Sequence, residues 1–307
     1  MKELIIWYYQ LPIVHLKRLN DIYYTQLENQ YIYIIPVGKD KNTVFFHLLQ
    51  LLRYNKDQQV LLSKENTTTV LYEGKHYYVL QSATLLHDYI DIATLQLPIL
   101  YAEGFPVARH LKERWLNKNR LYEEQLNITT LDLELYNRLL FFDLATYYIH
   151  LNEQAYTFIN QLVNESYAIS LCHARLTPKT YTYECFAPEL LILDNKSRCY
   201  SEYLRHLYLE TGDLKQIHAA IHMINRINPL TKEEWELLYT RHYFPTHFYD
   251  ILYQIRNDEP VKLTTLYEQT LNYSKLLYQV PYEVYHSTGI ALHVPEWVKN
   301  EVFNPLV

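Results

Sequence analysis

Glycine is scarce in this chain, and its scarcity rules out a class of sites. Only five occur among 307 residues, Gly38, Gly74, Gly104, Gly212 and Gly289, none close to another. Neither a Gly-x-x-x-x-Gly-Lys phosphate loop nor a Gly-x-Gly-x-x-Gly nucleotide turn can be present, so a glycine-rich phosphate cradle is excluded. Cysteine is equally thin. Cys172, Cys185 and Cys199 stand too far apart for a Cys-x-x-Cys redox or zinc motif, and their odd number reads as free thiols. The segment 1–10 has a brief apolar run but a Glu inside its charged end and no small-residue cleavage site, so no signal peptide is expected. No apolar run approaches the roughly 18 residues that span a bilayer. Even Leu139, Leu140, Phe141 and Phe142 are broken at once by Asp143. With a net charge of -6 and no basic run, the chain offers no general attraction to nucleic acid or anionic lipid. Synthesis in a cytosol, no nucleic-acid partner and no membrane insertion are the expectations.

What is present is enough apolar material, 49% of residues, for one large domain or two lobes with a core each. Strand-like runs rich in Tyr, Val, Ile and Thr occupy 22–27, 31–37, 67–72 and 76–81, with a Glu73-Gly74-Lys75 turn joining the last two. A helix is expected over 43–54. From about residue 85 the pattern turns helical. Segment 102–125 reads as an exposed helix and 131–165 as one or two helices with Leu135, Leu139, Phe142 and Tyr147 as the buried stripe. Helices over 201–211, 213–226, 231–239, 244–255 and 263–278 follow, then a Pro-containing tail. Thr231 and Glu234 make a capping box. Lys17-Arg18 and Lys112-Glu113-Arg114 read as solvated helix faces. Tyrosine is the compositional outlier, 32 residues against 10 Phe, expected as half-buried side chains whose hydroxyls reach the surface, some in patches suited to protein contacts.

Segment 168–205 carries most of the functional information. It begins Ala168-Ile169-Ser170-Leu171-Cys172-His173, continues Ala174-Arg175-Leu176-Thr177-Pro178-Lys179-Thr180, and reaches Leu190-Leu191-Ile192-Leu193-Asp194. Two short strands around a polar turn fit it. In phosphotransferases such a hairpin offers an Asp to the acceptor hydroxyl, an Asn to the metal, and a further Asp to magnesium on the phosphates. Here the turn offers Arg175 and Thr180. Cys172 beside His173 could suggest a thiolate nucleophile, but strand neighbours point to opposite faces, which favours a buried structural Cys.

The pattern resembles the aminoglycoside phosphotransferase and choline kinase superfamily, whose loop reads His-Gly-Asp, four residues, Asn, followed by Asp-x-Asp. His173 matches the loop His, but Ala174 stands on the Gly, Arg175 on the catalytic Asp and Thr180 on the metal-binding Asn. Asp194 matches the first later Asp and Lys196 replaces the second. A cation cannot accept the substrate proton, and Lys196 would compete with magnesium. In the run 31–37, where the resemblance places a phosphate-pairing Lys, no residue is charged. The chain is more similar still to the CotS/YutH type of spore coat proteins, in Cys172-His173-Ala174-Arg175-Leu176-Thr177-Pro178, in Asp194-Asn195-Lys196-Ser197-Arg198 with Glu202-Tyr203-Leu204-Arg205, and in Tyr243-Phe244-Pro245-Thr246-His247-Phe248.

That resemblance implies an α+β, two-lobed, protein-kinase-like fold, with a small β-rich N-lobe over 1–84 and a larger, mainly helical C-lobe over 85–307 holding a degenerate catalytic hairpin at 168–196. It implies a non-catalytic pseudokinase without cofactor, made in the mother cell and deposited in the spore coat through contacts with other coat proteins. His173, Arg175, Thr180, Asp194 and Lys196 would then be vestigial positions. The competing reading is an active small-molecule phosphotransferase or nucleotide-binding protein, with His173 or Asp194 supplying base or metal chemistry and Arg175 clamping phosphate. His218 and His222, four apart on an expected helix, could face one metal ion, but no third ligand is evident, so no metal site is expected. Asp88 with Asp91, and Glu123 with Glu124, are acid pairs that nothing in the sequence brings to a pocket.

Overall fold

The computed structural model describes residues 1–13, 15–37, 58–86, 88–92, 99–132, 135–186, 190–256 and 263–303. The expected helix over 43–54 lies outside them. The chain divides into two compact units, residues 1–90 with 179–192, and 91–178 with 193–307. The first is therefore discontinuous, where the sequence suggested a single cut at 84.

The first unit is an antiparallel sheet. Its strands are β1 (Lys17–Leu19), β2 (Ile22–Leu27), β3 (Gln30–Pro36), β4 (Gln58–Val60), β5 (Val70–Tyr72) and β6 (Lys75–Ser82), in the order β1-β2-β3-β6-β4, with β5 also paired to β6. Lys17-Arg18 thus forms an edge strand, not a helix face. Its cations lie over the rings of Tyr24 and Tyr23 on β2, and charge on an edge discourages pairing with another chain. Glu73 and Gly74 both have positive φ, 48° and 77°. This is the backbone that a two-residue hairpin requires, and it sets Tyr72 opposite Lys75. A helical turn at Lys2–Leu4, widened over Ile5–Tyr9, brings Leu4, Ile5 and Tyr9 against Ile32, Ile34, Val70 and Val79. Segment 179–192 joins this unit by backbone pairing: Ile90 N donates to Thr180 O at 2.8 Å and Tyr183 N to Leu86 O at 2.9 Å.

In the second unit β7 (Ile99–Phe105) runs antiparallel to β8 (Tyr167–His173); the next strand of that sheet, β9 (Leu191–Asp194), spans the division after residue 192 and ends in the second unit. The segment expected as helix from 102 is therefore strand as far as 105. The helices are α1 (Val107–Asp132), α2 (Leu135–Gln161), α3 (Ser197–Thr211), α4 (Leu214–Ile227), α5 (Lys232–Tyr243), α6 (Thr246–Arg256), α7 (Leu263–Leu271), α8 (Tyr273–Thr288) and α9 (Glu296–Phe303). On α2 the buried stripe is Phe141, Leu144, Tyr148, Leu151, Ala155 and Phe158, a helical repeat one register away from the expected one. Leu139 and Phe142 are instead 61% and 51% exposed. Among the described residues no helix is long and apolar enough to cross a membrane.

The tail expected after 278 is helix as well. Pro281 sits inside α8, where it cannot donate to the carbonyl of Leu277. Tyr239 on α5 supplies the missing donor, its Oη reaching Leu277 O at 2.9 Å. The capping box forms as read, with Glu234 N donating to Thr231 Oγ1 at 3.3 Å and Thr231 N to Glu234 Oε2 at 3.1 Å. Replacing Tyr239 by Phe leaves the Leu277 carbonyl buried without its side-chain donor. The expected cost is about 1–3 kcal/mol in urea denaturation, with the α-helical circular dichroism of the native state retained.

Candidate functional site

Strand β8 ends at His173 and β9 at Asp194, and Arg198, which donates to Ala174 O at 2.9 Å and lies 3.5 Å from Asp194, ties the two strand ends together. Behind them Cys172 is fully buried, its thiol 3.6 Å from Asp194 O and 3.5 Å from Asn195 O. Burial pushes its pKa well up, which leaves an inert thiol rather than a nucleophile. His173 is buried too. Its Nδ1 accepts from the Arg175 backbone N–H at 3.1 Å, and burial, then the nearby Arg198 charge, depress its pKa to about 4. A group so weakly basic and so enclosed is a poor proton acceptor at neutral pH.

Arg175 is held by Asp250 on α6 in a forked pair, Nε to Oδ2 at 3.0 Å and Nη2 to Oδ1 at 3.1 Å. Thr180 is placed differently, since it belongs to the first unit through the backbone bond with Ile90. Asp194 is enclosed by guanidinium groups. Arg241 of α5 donates to Oδ1 at 2.6 Å, while Arg198 of α3 and Arg114 of α1 approach Oδ2 at 3.5 and 3.7 Å. Asn195 N also donates to Oδ1, at 2.8 Å. A magnesium ion would have to displace that positive charge to coordinate this carboxylate.

Lys196 does not do what its position suggested. Its ammonium turns to Pro229 O at 2.9 Å, Asn228 Oδ1 at 3.2 Å and Glu234 Oε2 at 3.4 Å. Glu234 also accepts from Asn195 Nδ2 at 2.8 Å, so one carboxylate caps α5 and holds 195–196. The competing cations are the three arginines instead. Of these, Arg198 was legible as a neighbour of Asp194 four residues along the chain; Arg114 and Arg241 come from remote helices and carried no such signal.

The arginines open on a small cavity of about 60 Å³, lined by Arg114, Lys118, Arg175, Arg198, Glu202 and Arg241. Burial, then the Arg175, Arg198 and Arg114 charges, lower the Lys118 pKa. Burial would raise the Glu202 pKa, but Arg205, Arg198 and Arg175 outweigh it and bring it to about 2. The surroundings suit an anion rather than a divalent cation, and the volume holds a few water molecules, not a nucleotide. The remaining sequence candidates are dispersed. His242 and His247 are buried, and Asp88 accepts backbone and side-chain bonds from Thr182 in the first unit. His218 and His222 lie elsewhere on the second unit, against Glu283.

A family profile described as "Spore coat putative kinase YutH" matches residues 2–279. The chain is 23% identical over 269 residues to the endospore coat-associated protein YutH of Bacillus subtilis (strain 168), covering 78% of this chain and 79% of that protein. Among solved structures it is similar to an aminoglycoside phosphotransferase from Alicyclobacillus acidocaldarius subsp. acidocaldarius, with a TM-score of 0.62 at 13% identity, covering 90% of this chain and 94% of that one. The fold is thus aminoglycoside phosphotransferase-like, the α+β class that the sequence resemblance implied.

Two measurements test the electrostatics of this site. Arg241→Met strands the buried Asp194 carboxylate without its close partner and should cost about 3–5 kcal/mol in urea unfolding, most of it recovered when Asp194→Asn is added. The second concerns acid. The pKa of His173 falls to about 4 and that of His242 to about 3, both chiefly through burial, and those of His206 and His247 are also lowered. A depressed imidazole pKa means that the unfolded chain binds the proton first. Stability should therefore be full above the ordinary imidazole value of 6.5 and fall as pH drops from there toward about 3–4. Chemical denaturation across that range should show the loss, and His242→Gln should make it shallower.

Proposed function

The chain belongs to the spore coat YutH family, and on that premise we propose that it is a non-catalytic, kinase-fold component of the endospore coat that acts through contacts with other coat proteins. The observation that carries the reading is the state of Asp194, ion-paired to Arg241 at 2.6 Å with Arg198 and Arg114 on its other oxygen. Phosphoryl transfer in this fold depends on positioning and on charge neutralisation by metal. Here the carboxylate that would hold the metal is neutralised by protein, Arg175 stands where a base would act, and the buried strand β3 presents no cation to a phosphate. The coat relative in Bacillus subtilis supports the location. Synthesis in the mother cell followed by deposition on the forespore is the route that follows.

The test joins place and chemistry. A fluorescent fusion expressed during sporulation should form a shell around the developing spore. Purified protein with ATP and magnesium should show neither turnover nor a thermal shift, whereas ligand at 100 times its dissociation constant would stabilise by about 2.7 kcal/mol. Arg175→Asp with Thr180→Asn should remain inactive, because the arginines on Asp194 stay in place. Diffuse fluorescence would defeat the coat assignment. ATP turnover lost in Asp194→Ala would restore the phosphotransferase reading.

A further inference from the structure

We propose that His218, His222 and Glu283 form a binding site for a divalent transition metal of the zinc class, joining α4 to α8. The two histidines lie one turn apart on α4, with ring centroids 4.3 Å apart. Glu283 reaches them from α8. Its Oε2 is 2.5 Å from His218 Nδ1 and 3.9 Å from His222 Nε2, and the three ligand atoms all lie within 4.8 Å of one another. Ligands about 2.0–2.2 Å from a tetrahedral zinc ion are separated by roughly 3.3 Å, so side-chain rotations that open the 2.5 Å contact and shorten the 3.9 Å one would fit this set to an ion.

Three features mark the cluster as built. The Glu283 side chain is buried, with 6% of its surface exposed, whereas His218 and His222 remain 53% and 43% exposed. Among the described residues no Lys or Arg pairs with Glu283; its neighbours are the two imidazoles and the amide of Gln279, which donates to Oε1 at 2.5 Å. A buried carboxylate is costly unless a cation compensates it, and a metal held by both imidazoles is that cation. Gln279 then orients the carboxylate from behind, as outer partners of metal ligands do. The scaffold is rigid as well, since one turn further along α4 Asn225 Nδ2 donates to Ser287 O of α8 at 3.1 Å.

The donor set selects the metal. Two imidazoles and a carboxylate suit zinc, and also nickel or copper, whereas magnesium and calcium prefer all-oxygen shells. Three protein ligands leave a fourth position, and the exposure of both histidines opens it to solvent or to a side chain of another protein. Cys172 and Cys199 are buried free thiols and His218 and His222 do not depend on them.

Full-length protein stripped with chelator and titrated with zinc chloride by calorimetry should bind one equivalent at this site. His218→Ala and His222→Ala change exposed side chains and should leave folding intact while weakening the dissociation constant by at least about tenfold. Cobalt(II) should give the intense visible bands of a low-coordinate site in the native protein, and these should disappear in either variant. Zinc should raise the melting temperature of the native chain more than that of the variants. Absence of saturable uptake overturns the proposal. So does uptake that the double variant His218→Ala/His222→Ala leaves unchanged, because other histidines would then be the ligands.

Discussion

A carboxylate buried at the end of a strand must be given positive charge, and the way Asp194 obtains it organises much of the second unit. Its side chain is 2% exposed, and taking an ionised carboxylate out of water is tolerable only with close, hydrogen-bonded partners. The partners come from three helices, Arg114 of α1, Arg198 of α3 and Arg241 of α5. In a metal-dependent phosphotransferase a divalent ion supplies this charge. Here α5 serves both ends of the segment 194–196. Glu234 in its first turn holds Asn195 and Lys196, and Arg241, seven residues on and so on the same helix face, holds Asp194.

A second buried charge continues the arrangement. Arg205 is fully buried; it pairs with Glu202 at 3.0 Å and donates to Tyr273 Oη and to the carbonyls of Arg241 and Phe244. Tyr273 in turn donates a hydrogen bond to His242 O at 2.9 Å, while Tyr148 bonds Thr270 and His247. The tyrosine excess is thereby explained in part by the core, where these hydroxyls satisfy carbonyls and imidazoles that Phe could not. Exposed Tyr is present too, at Tyr89, Tyr253, Tyr282 and Tyr285.

What could be read from the sequence was what local physics decides. The β5–β6 hairpin followed from Glu73-Gly74, the capping box from Thr231 and Glu234, and the strands β2, β3 and β6 from their β-branched and aromatic runs. Distant partners were the blind spot. Nothing near Pro281 says that Tyr239 will serve the carbonyl it frees, so the helix was ended too soon. The apolar positions of α2 allow two adjacent stripes, and only the neighbours that bury Tyr148 and Leu151 rather than Leu139 and Phe142 choose between them. Likewise, two histidines four apart are visible in any sequence, but Glu283, 61 residues beyond His222, meets them only because α8 packs beside α4. The resemblance pointed to Arg175, Thr180, Asp194 and Lys196 but not to their contacts: Lys196 turns to Asn228, Pro229 and Glu234, and the remote Arg241 pairs with Asp194.

The ion pairs of Arg175 and Arg241 differ in depth, and with it in what each contributes to folding. Arg175 and Asp250 are both more than a third exposed, at 36% and 46%. A pair so accessible to water contributes at most about 1 kcal/mol. Arg241 and Asp194 are 5% and 2% exposed, and removing one member of such a pair leaves an uncompensated buried charge, a loss of about 3–5 kcal/mol. The loop residue can therefore change at little cost to folding. Arg241 cannot be lost singly at so little cost, since its removal must be accompanied by another cation or by neutralisation of Asp194 itself, whereas Arg114, 49% exposed at 3.7 Å, is under no such constraint.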